Sequence, residues 1–360
     1  MFAVFRSRRM AVLFGLGFAS GLPLTLTGQT LQAWATDAKV DLKAIAALSL
    51  VGIAYTLKFV WAPLTDRYRL PWLGRRRGWA LLLQLLLAAA IAALATCDPR
   101  EPARLAATAV VVALLSATQD TVLDAYNADV LAPEQRAAGS AVYVLGYRVA
   151  YLGGTMLALV LSDRIAWPVI YGGFAMLMLV GVVATLAAEE PPAPARPPRS
   201  LASAVIEPFT ELARRLGARR TALVLAFAAV YELGYFFAQT LMIPFFRAQG
   251  FSNTDIAEVY KAVGLAGLAI GGLVAGDLVA RAGLRRTLAA FAALAGATHL
   301  LYAALATVGH SWPMFVAAVL LDSIANAMVI AAFLAVLMSV TSAGVSATQL
   351  ALLTSLSSVG

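Results

Sequence analysis

Trp61-Ala62-Pro63-Leu64-Thr65-Asp66-Arg67 closes one long apolar run, and Gly74-Arg75-Arg76-Arg77-Gly78-Trp79 opens the next. The same arrangement returns later in the chain. Gly272-Leu273-Val274-Ala275-Gly276-Asp277 ends another apolar run, with Arg281, Arg285 and Arg286 behind it. In both places an Asp precedes an arginine cluster by eight or nine residues, and the two Asp stand 211 positions apart. An Asp so placed can pair with arginines and with the positive N-terminal end of a neighbouring helix. Such a contact latches one arrangement of packed helices and releases another when it breaks. The competing reading is a plain basic anchor at a membrane surface. The matched repeat favours the latch.

The surrounding composition agrees with helices in a bilayer. The chain has 360 residues, 61% hydrophobic and 13% charged, with a mean hydropathy of +0.82. A soluble domain carries about 25% charged residues, so an ordinary water-soluble enzyme is excluded. A spanning helix needs about 20 apolar residues. Ten runs meet that length: 10–34, 44–63, 79–96, 105–130, 138–161, 166–188, 221–246, 255–277, 287–306 and 312–340. An eleventh begins near Ala347 and ends at Gly360, too short to cross. The expected organisation is a six-helix unit over 1–188, a connection over 189–220, and a second unit over 221–360, incomplete in its eleventh helix. Each Asp of the repeat then ends the second helix of its unit.

Lys and Arg gather on the cytoplasmic side of membrane proteins. With the N-terminus inside, the inner segments hold eighteen of them and the outer segments six. That predicts a cytoplasmic N-terminus, and it accounts for the net charge of +8 without nucleic acid. The connection carries Pro191, Pro192, Pro194, Pro197 and Pro198, then Leu201, Val205, Phe209, Leu212 and Leu216 at helical spacing. It reads either as an extended segment leading to an amphipathic surface helix or as a solvated linker.

Charges within the spans are the candidate functional groups, because they are costly there and face partners or water. The fourth span carries Ser116, Thr118, Gln119, Asp120, Asp124 and Asp129, with Asp120 and Asp124 on one face. Arg148 lies ten residues into the fifth span, about 15 Å deep, at the depth of Asp120. An Asp120–Arg148 pair is the first expectation and Asp124–Arg148 the second. Lys58 lies closer to the depth of Asp124. In the second unit Glu232 and Asp322 fall near the midplane, with Lys261 in reach of Glu232. In the functional reading a carboxylate takes up a proton outside and releases it inside, while an Arg or Lys binds an anionic solute. In the structural reading these groups fix helix register. The clustering favours the first. Thr25, Thr27, Gln29, Thr30, Gln32 and Trp34 line the first span, which Pro23 and Gly28 loosen, and could meet a glycan-like solute.

Taken together, Ser20-Gly21-Leu22-Pro23-Leu24, Thr30-Leu31-Gln32-Ala33-Trp34, Lys58-Phe59, Trp61-Ala62-Pro63-Leu64, Gly74-Arg75-Arg76-Arg77-Gly78-Trp79, Ala117-Thr118-Gln119-Asp120, Asp124-Ala125, Leu145-Gly146-Tyr147-Arg148 and Ala347-Thr348-Gln349 resemble the AmpG-type muropeptide permeases of the major facilitator superfamily. The resemblance runs from the first span to the last residue. It implies an all-α membrane fold of two pseudo-symmetric six-helix bundles, acting as a monomer. It also implies proton-driven import of N-acetylglucosaminyl-anhydromuramyl peptides across the bacterial inner membrane for peptidoglycan recycling. On this resemblance Lys58, Asp120, Asp124, Asp129, Arg148 and Lys261 form the proton and substrate pathway, and Glu232 and Asp322 join it by their position near the midplane. Gln29, Gln32, Trp34, Tyr147 and Tyr235 are candidates for solute contact. Asp66, Arg67, Arg75, Arg76, Arg77, Asp277 and Arg281 form the gate. The chain departs from the family pattern in the seventh span, where Glu232 and Tyr235 replace a Lys and an Asp, and in the tenth, where Asp322 replaces Glu. These departures leave room for another anionic solute of acetyl-CoA or siderophore type, or for a sensor that binds without transporting.

An enzyme is not expected. His299 and His310 have no acidic partner at short spacing, and no Gly-rich phosphate loop is present. No cofactor is expected, and with Cys97 alone there is no cysteine-cluster metal site.

Overall fold

The computed structural model describes residues 7–71, 73–192, 210–231, 242, 245–246, 248–341 and 346–357. The first part comprises α1 (Arg8–Thr27), α2 (Gln29–Asp37), α3 (Leu42–Leu48), α4 (Ile53–Leu57), α5 (Ala62–Arg67), α6 (Arg75–Ala95), α7 (Pro102–Val130), α8 (Arg136–Arg148), α9 (Gly154–Ser162), α10 (Trp167–Leu177) and α11 (Leu179–Ala187). The later part comprises α12 (Ala218–Val230), α13 (Asn253–Ile256), α14 (Gly264–Ala282), α15 (Leu284–Val308), α16 (Trp312–Val340) and α17 (Ser346–Ser357). Nine helical stretches among the described residues are long and apolar enough to cross a membrane. The seventh run of the sequence reading enters residues outside the described set after Tyr231.

Several expected spans are helices interrupted at identifiable places. Span one breaks between α1 and α2 at Gly28, with φ −107° and ψ −121°. Pro23 inside α1 cannot donate to the Ala19 carbonyl, and Gln119 Nε2 of α7 supplies that bond at 2.8 Å. The expected continuous helix over 44–63 is instead α3, a 3-10 turn at Ser49–Gly52, α4, a second 3-10 turn at Lys58–Val60, and α5. Pro63 has no N–H for the ladder, so the chain restarts as α5 just ahead of it. Span five is α8, a π turn at Val149–Gly153, and α9. A longer π stretch, Ala257–Val263, precedes α14.

Glycines let particular helices pack backbone to backbone. A Cβ at Gly17 or Gly21 of α1 would strike the Tyr143 or Tyr147 carbonyl of α8, and one at Gly146 would strike the Phe14 carbonyl. In the later part, a Cβ at Gly271 of α14 would strike the Ile324 backbone of α16. Apolar cores lie within each part, around Leu22, Leu87, Ile91 and Phe174 in the first and Phe246, Tyr302 and Phe315 in the second. Two further clusters join the parts: Ala128 with Phe333, Leu337 and Leu350, and Ala141 with Ala275, Met328 and Ala331. Met176, Val183 and Leu300 are exposed. Lipid covers such groups in a spanning helix, where water would penalise a patch of them.

Helix ends at the arginine-rich face are satisfied from neighbouring segments. Glu190 accepts from the backbone N–H groups of Arg76 and Arg77 at 2.9 and 3.0 Å, capping α6. The turn leading into that cap holds Gly74 at φ +90°, where a side chain would be strained. Arg77 donates to the Thr185 and Leu186 carbonyls, and Arg8 to Ala187, closing the C-terminal end of α11. Of the expected amphipathic helix, Leu201, Val205 and Phe209 lie outside the described residues. The helical segment 210–216 does not lie free: Leu212 is buried, Glu211 accepts from Gln349 of α17 at 2.8 Å, and Arg215 donates to the Val340 carbonyl.

Candidate functional site

The first part of the chain holds a buried polar cluster. Lys58 Nζ lies 3.5 Å from Asp124 Oδ2. Asp120, one turn up α7, accepts from Ser20 Oγ of α1 at 2.5 Å. Trp61 Nε1 donates to Thr118 Oγ1 of α7 at 2.9 Å, tying the broken second span to the same helix. The hydroxyls of Tyr55, Tyr143 and Ser116 are buried beside these carboxylates. An ammonium–carboxylate pair with a second carboxylate one turn away can exchange a proton and repack as it does so.

Arg148 joins neither Asp120 nor Asp124, contrary to both expected pairs. Matching depth was right, but azimuth decides. Tyr143, Gly146 and Tyr147 turn toward α1, so Arg148 falls on another side of α8. There it lines a pocket with Leu268 and Gly272 of α14 and Ala327 and Ala331 of α16. Its Nε is buried without a partner among the described residues. The π turn that follows is held by Thr25 Oγ1, at 3.1 and 3.2 Å from the carbonyls of Ala150 and Tyr151. All three cations within spans sit at departures from α geometry: Lys58 opens a 3-10 turn, Arg148 precedes a π turn, and Lys261 lies in a π stretch. Such irregular turns mark functional positions in many helices.

Most residues expected to form the gate assemble at the arginine-rich end. Arg76, fully buried, donates to Asp66 Oδ1 at 2.9 Å, Asp129 Oδ2 at 2.9 Å and Ser346 Oγ at 2.5 Å. Arg75 reaches Asp129 at 3.2 Å and Asp66 at 3.6 Å. Asp66 also accepts from the backbone N–H groups of Ala347 and Thr348 at 3.3 and 2.8 Å, and from Thr348 Oγ1 at 2.8 Å. It thereby caps the N-terminus of α17 across the join between the two parts. Arg67 is half-buried at the end of α5.

Asp129, grouped with the proton pathway, pairs instead with Arg75 and Arg76 at the arginine-rich end. Arg77, grouped with the gate, closes α11 instead. Asp277 pairs with Arg281 on its own helix at 2.9 Å and makes no bond to the first part among the described residues, so the repeat latches at one copy. Trp34 is buried against Trp167 and Tyr171, with ring centroids 6.4 and 4.9 Å away, which is a packing position.

Gln32 is half-buried, as is Tyr147, whose ring lies 6.3 Å from Tyr151. Asp322 is buried between α15 and α16, accepting from Thr298 Oγ1 at 3.0 Å and the Tyr302 hydroxyl at 3.1 Å. Glu232 and Tyr235, and the side chains of Gln29 and Lys261, lie outside the described residues. The sequence reading missed Ser20, Ser346, Glu190 and Glu211. A Ser ahead of Ala347-Thr348-Gln349 is a helix-start signal that could have marked the first turn of α17.

The Major Facilitator Superfamily profile matches residues 10–360. The chain belongs to this superfamily. It is 43% identical to the anhydromuropeptide permease of Escherichia coli (strain K12) over 360 residues, which is 99% of this chain and 73% of that protein. That places it in the muropeptide permease branch. Among solved structures it superposes on the facilitator FucP in its outward conformation with a TM-score of 0.69 at 15% identity, covering 97% of this chain and 89% of that one. The proton:xylose symporter XylE gives 0.67 at 11% identity, covering 98% and 86%. These two likenesses concern the fold alone.

Proposed function

We propose that this facilitator imports anhydromuropeptides across the bacterial inner membrane, driven by protons, and so serves peptidoglycan recycling. The solute rests on the 43% identity to the Escherichia coli permease over nearly the whole chain. The proton role rests on the Lys58–Asp124 pair with Asp120 beside it. The arginine-rich end faces the cytoplasm in this reading, following the excess of Lys and Arg there. The Asp66–Arg76–α17 contact then shuts the passage toward the cytoplasm, and the protein works as a monomer. Protonation of Asp124 cancels its attraction for Lys58, freeing the broken second span to shift against α7. Release of that proton on the inner side restores the pair and resets the cycle.

The experiment is uptake of labelled anhydromuropeptide by cells lacking their own permease and expressing this protein, with and without a protonophore. Uptake that collapses with the proton gradient and falls at least tenfold in Asp124→Asn is the expected result. Unaltered uptake in that variant removes Asp124 from coupling. Binding of the solute by purified protein without any uptake would favour a sensor.

A further inference from the structure

We infer that Arg148 is the solute-recognition residue of this facilitator and that the group it takes is a single carboxylate. The inference rests on the proposed import of an acidic solute and adds which part of that solute is read, and where. Both carboxylates at its depth are already engaged, Asp124 by Lys58 and Asp120 by Ser20. Arg148 makes no ion pair among the described residues, and its Nε is buried and unpartnered. A half-buried guanidinium left this way carries an unmet demand for an anion. The pocket it lines lies between the two parts of the chain, with Leu268 and Gly272 on one facing helix and Ala327 and Ala331 on the other. Gly272 leaves room on the wall of α14 beside Ala141 of α8.

The chemistry of the walls selects the ligand. Among the described residues Arg148 is the one charged group lining the pocket. A guanidinium neutralises one negative charge and offers two parallel N–H donors to a planar acceptor. A carboxylate satisfies both conditions. A phosphate dianion would leave a net negative charge against aliphatic walls, which carries a desolvation cost with nothing to offset it. The position also suits transport. The pocket is formed by helices of both parts, so a bound solute touches the surfaces that separate when the parts move. The π turn after Arg148, anchored by Thr25, sets where the guanidinium stands.

The test uses purified protein, wild type and variant, titrated with three probes and followed by intrinsic tryptophan fluorescence. The probes are an anhydromuropeptide with free peptide carboxylates, the same molecule with every carboxylate converted to the carboxamide, and a version bearing a phosphate monoester in their place. Wild type is expected to bind the acid about ten- to a hundredfold more tightly than the amide or the phosphate, the range for a charge-assisted bidentate contact. Arg148→Gln brings the acid down to the level of the amide and leaves amide binding unchanged, which also reports an intact fold. Arg148→Lys keeps the charge without the fork and retains part of the preference. Equal binding of acid and amide by wild type, including binding of neither, overturns the inference. So does an Arg148→Gln variant that weakens both alike. The import reading fails separately: acid preference without cellular uptake removes import and keeps the Arg148 site, while uptake without acid preference does the reverse.

Discussion

Replacing Asp66 with Asn tests the gate at its most connected residue. The carboxylate accepts two bonds from Thr348 and one from the Ala347 N–H at the start of α17, besides its bonds to the arginines. Hydrogen bonds to a charged group contribute about 1.5–3 kcal/mol and neutral ones about 0.5–1.5 kcal/mol. The amide therefore forfeits about 1 kcal/mol at each of the two short Thr348 contacts. It also loses the favourable charge at a helix N-terminus, up to about 2 kcal/mol in a partly buried setting. Arg76 keeps its bonds to Asp129 and Ser346, which limits the total to about 3 kcal/mol, or roughly a hundredfold in the ratio of latched to unlatched molecules. Cys97 is the sole native cysteine and is buried. Spin labels at the exposed positions Arg69 and Arg286, in a Cys97→Ala background, would report the separation of the two parts at the arginine-rich end. Double electron–electron resonance should show a longer distance population growing in Asp66→Asn. Asp277→Asn is the control, since Asp277 bonds only to Arg281 on its own helix among the described residues, and its distances should match wild type. A distribution in Asp66→Asn that superimposes on wild type, or an equal shift in Asp277→Asn, refutes the reasoning.

Three more outcomes follow from the geometry. Lys58→Gln should lower the thermal midpoint more than the double variant Lys58→Gln/Asp124→Asn, because the single change strands a mostly buried carboxylate; partial exposure holds the single cost to about 1–3 kcal/mol, below that of a fully buried pair. Asp322→Leu removes the acceptor shared by Thr298 and Tyr302 and should cost about 1–3 kcal/mol in denaturation midpoints, with Asp322→Asn costing less because it keeps an acceptor. Gly146→Val should cost more than about 3 kcal/mol and reduce the yield of folded protein in size-exclusion chromatography, because its side chain would meet the Phe14 carbonyl, backbone that cannot rotate away.

The spans and the gate were legible because each is a local signal. Apolar runs announced α6, α7, α15 and α16 with ends within about five residues, and the Asp–Arg spacing announced Asp66 as a partner of the arginine cluster, though not Asp129 or Ser346. The Lys58–Asp124 pairing was readable from depth, since both residues lie the same few turns from the arginine-rich end. The rotation of α8 was not readable. Depth is a count of residues, but facing is fixed by which neighbour can come closest, and here Gly17, Gly21 and Gly146 bring α1 against the Tyr143 and Tyr147 side. That turned Arg148 away from the acids at its own level. The asymmetry of the repeat was hidden for the same kind of reason. Asp66 and Asp277 look alike in sequence, but among the described residues only the first meets a helix start contributed by the other part of the chain. Ser20 stood in a motif without a partner, because a serine becomes informative only when a carboxylate stands opposite it.

The glycine seams have a mechanical consequence. Where carbonyls of one helix rest directly on the backbone of another, as between α1 and α8 and between α14 and α16, no side chain is left to change rotamer and absorb displacement. Each pair must travel as a single girder. Whatever flexing the cycle demands is thereby pushed out of the seams and into the turns that are already irregular, and those are the places where Lys58, Arg148 and Lys261 are mounted.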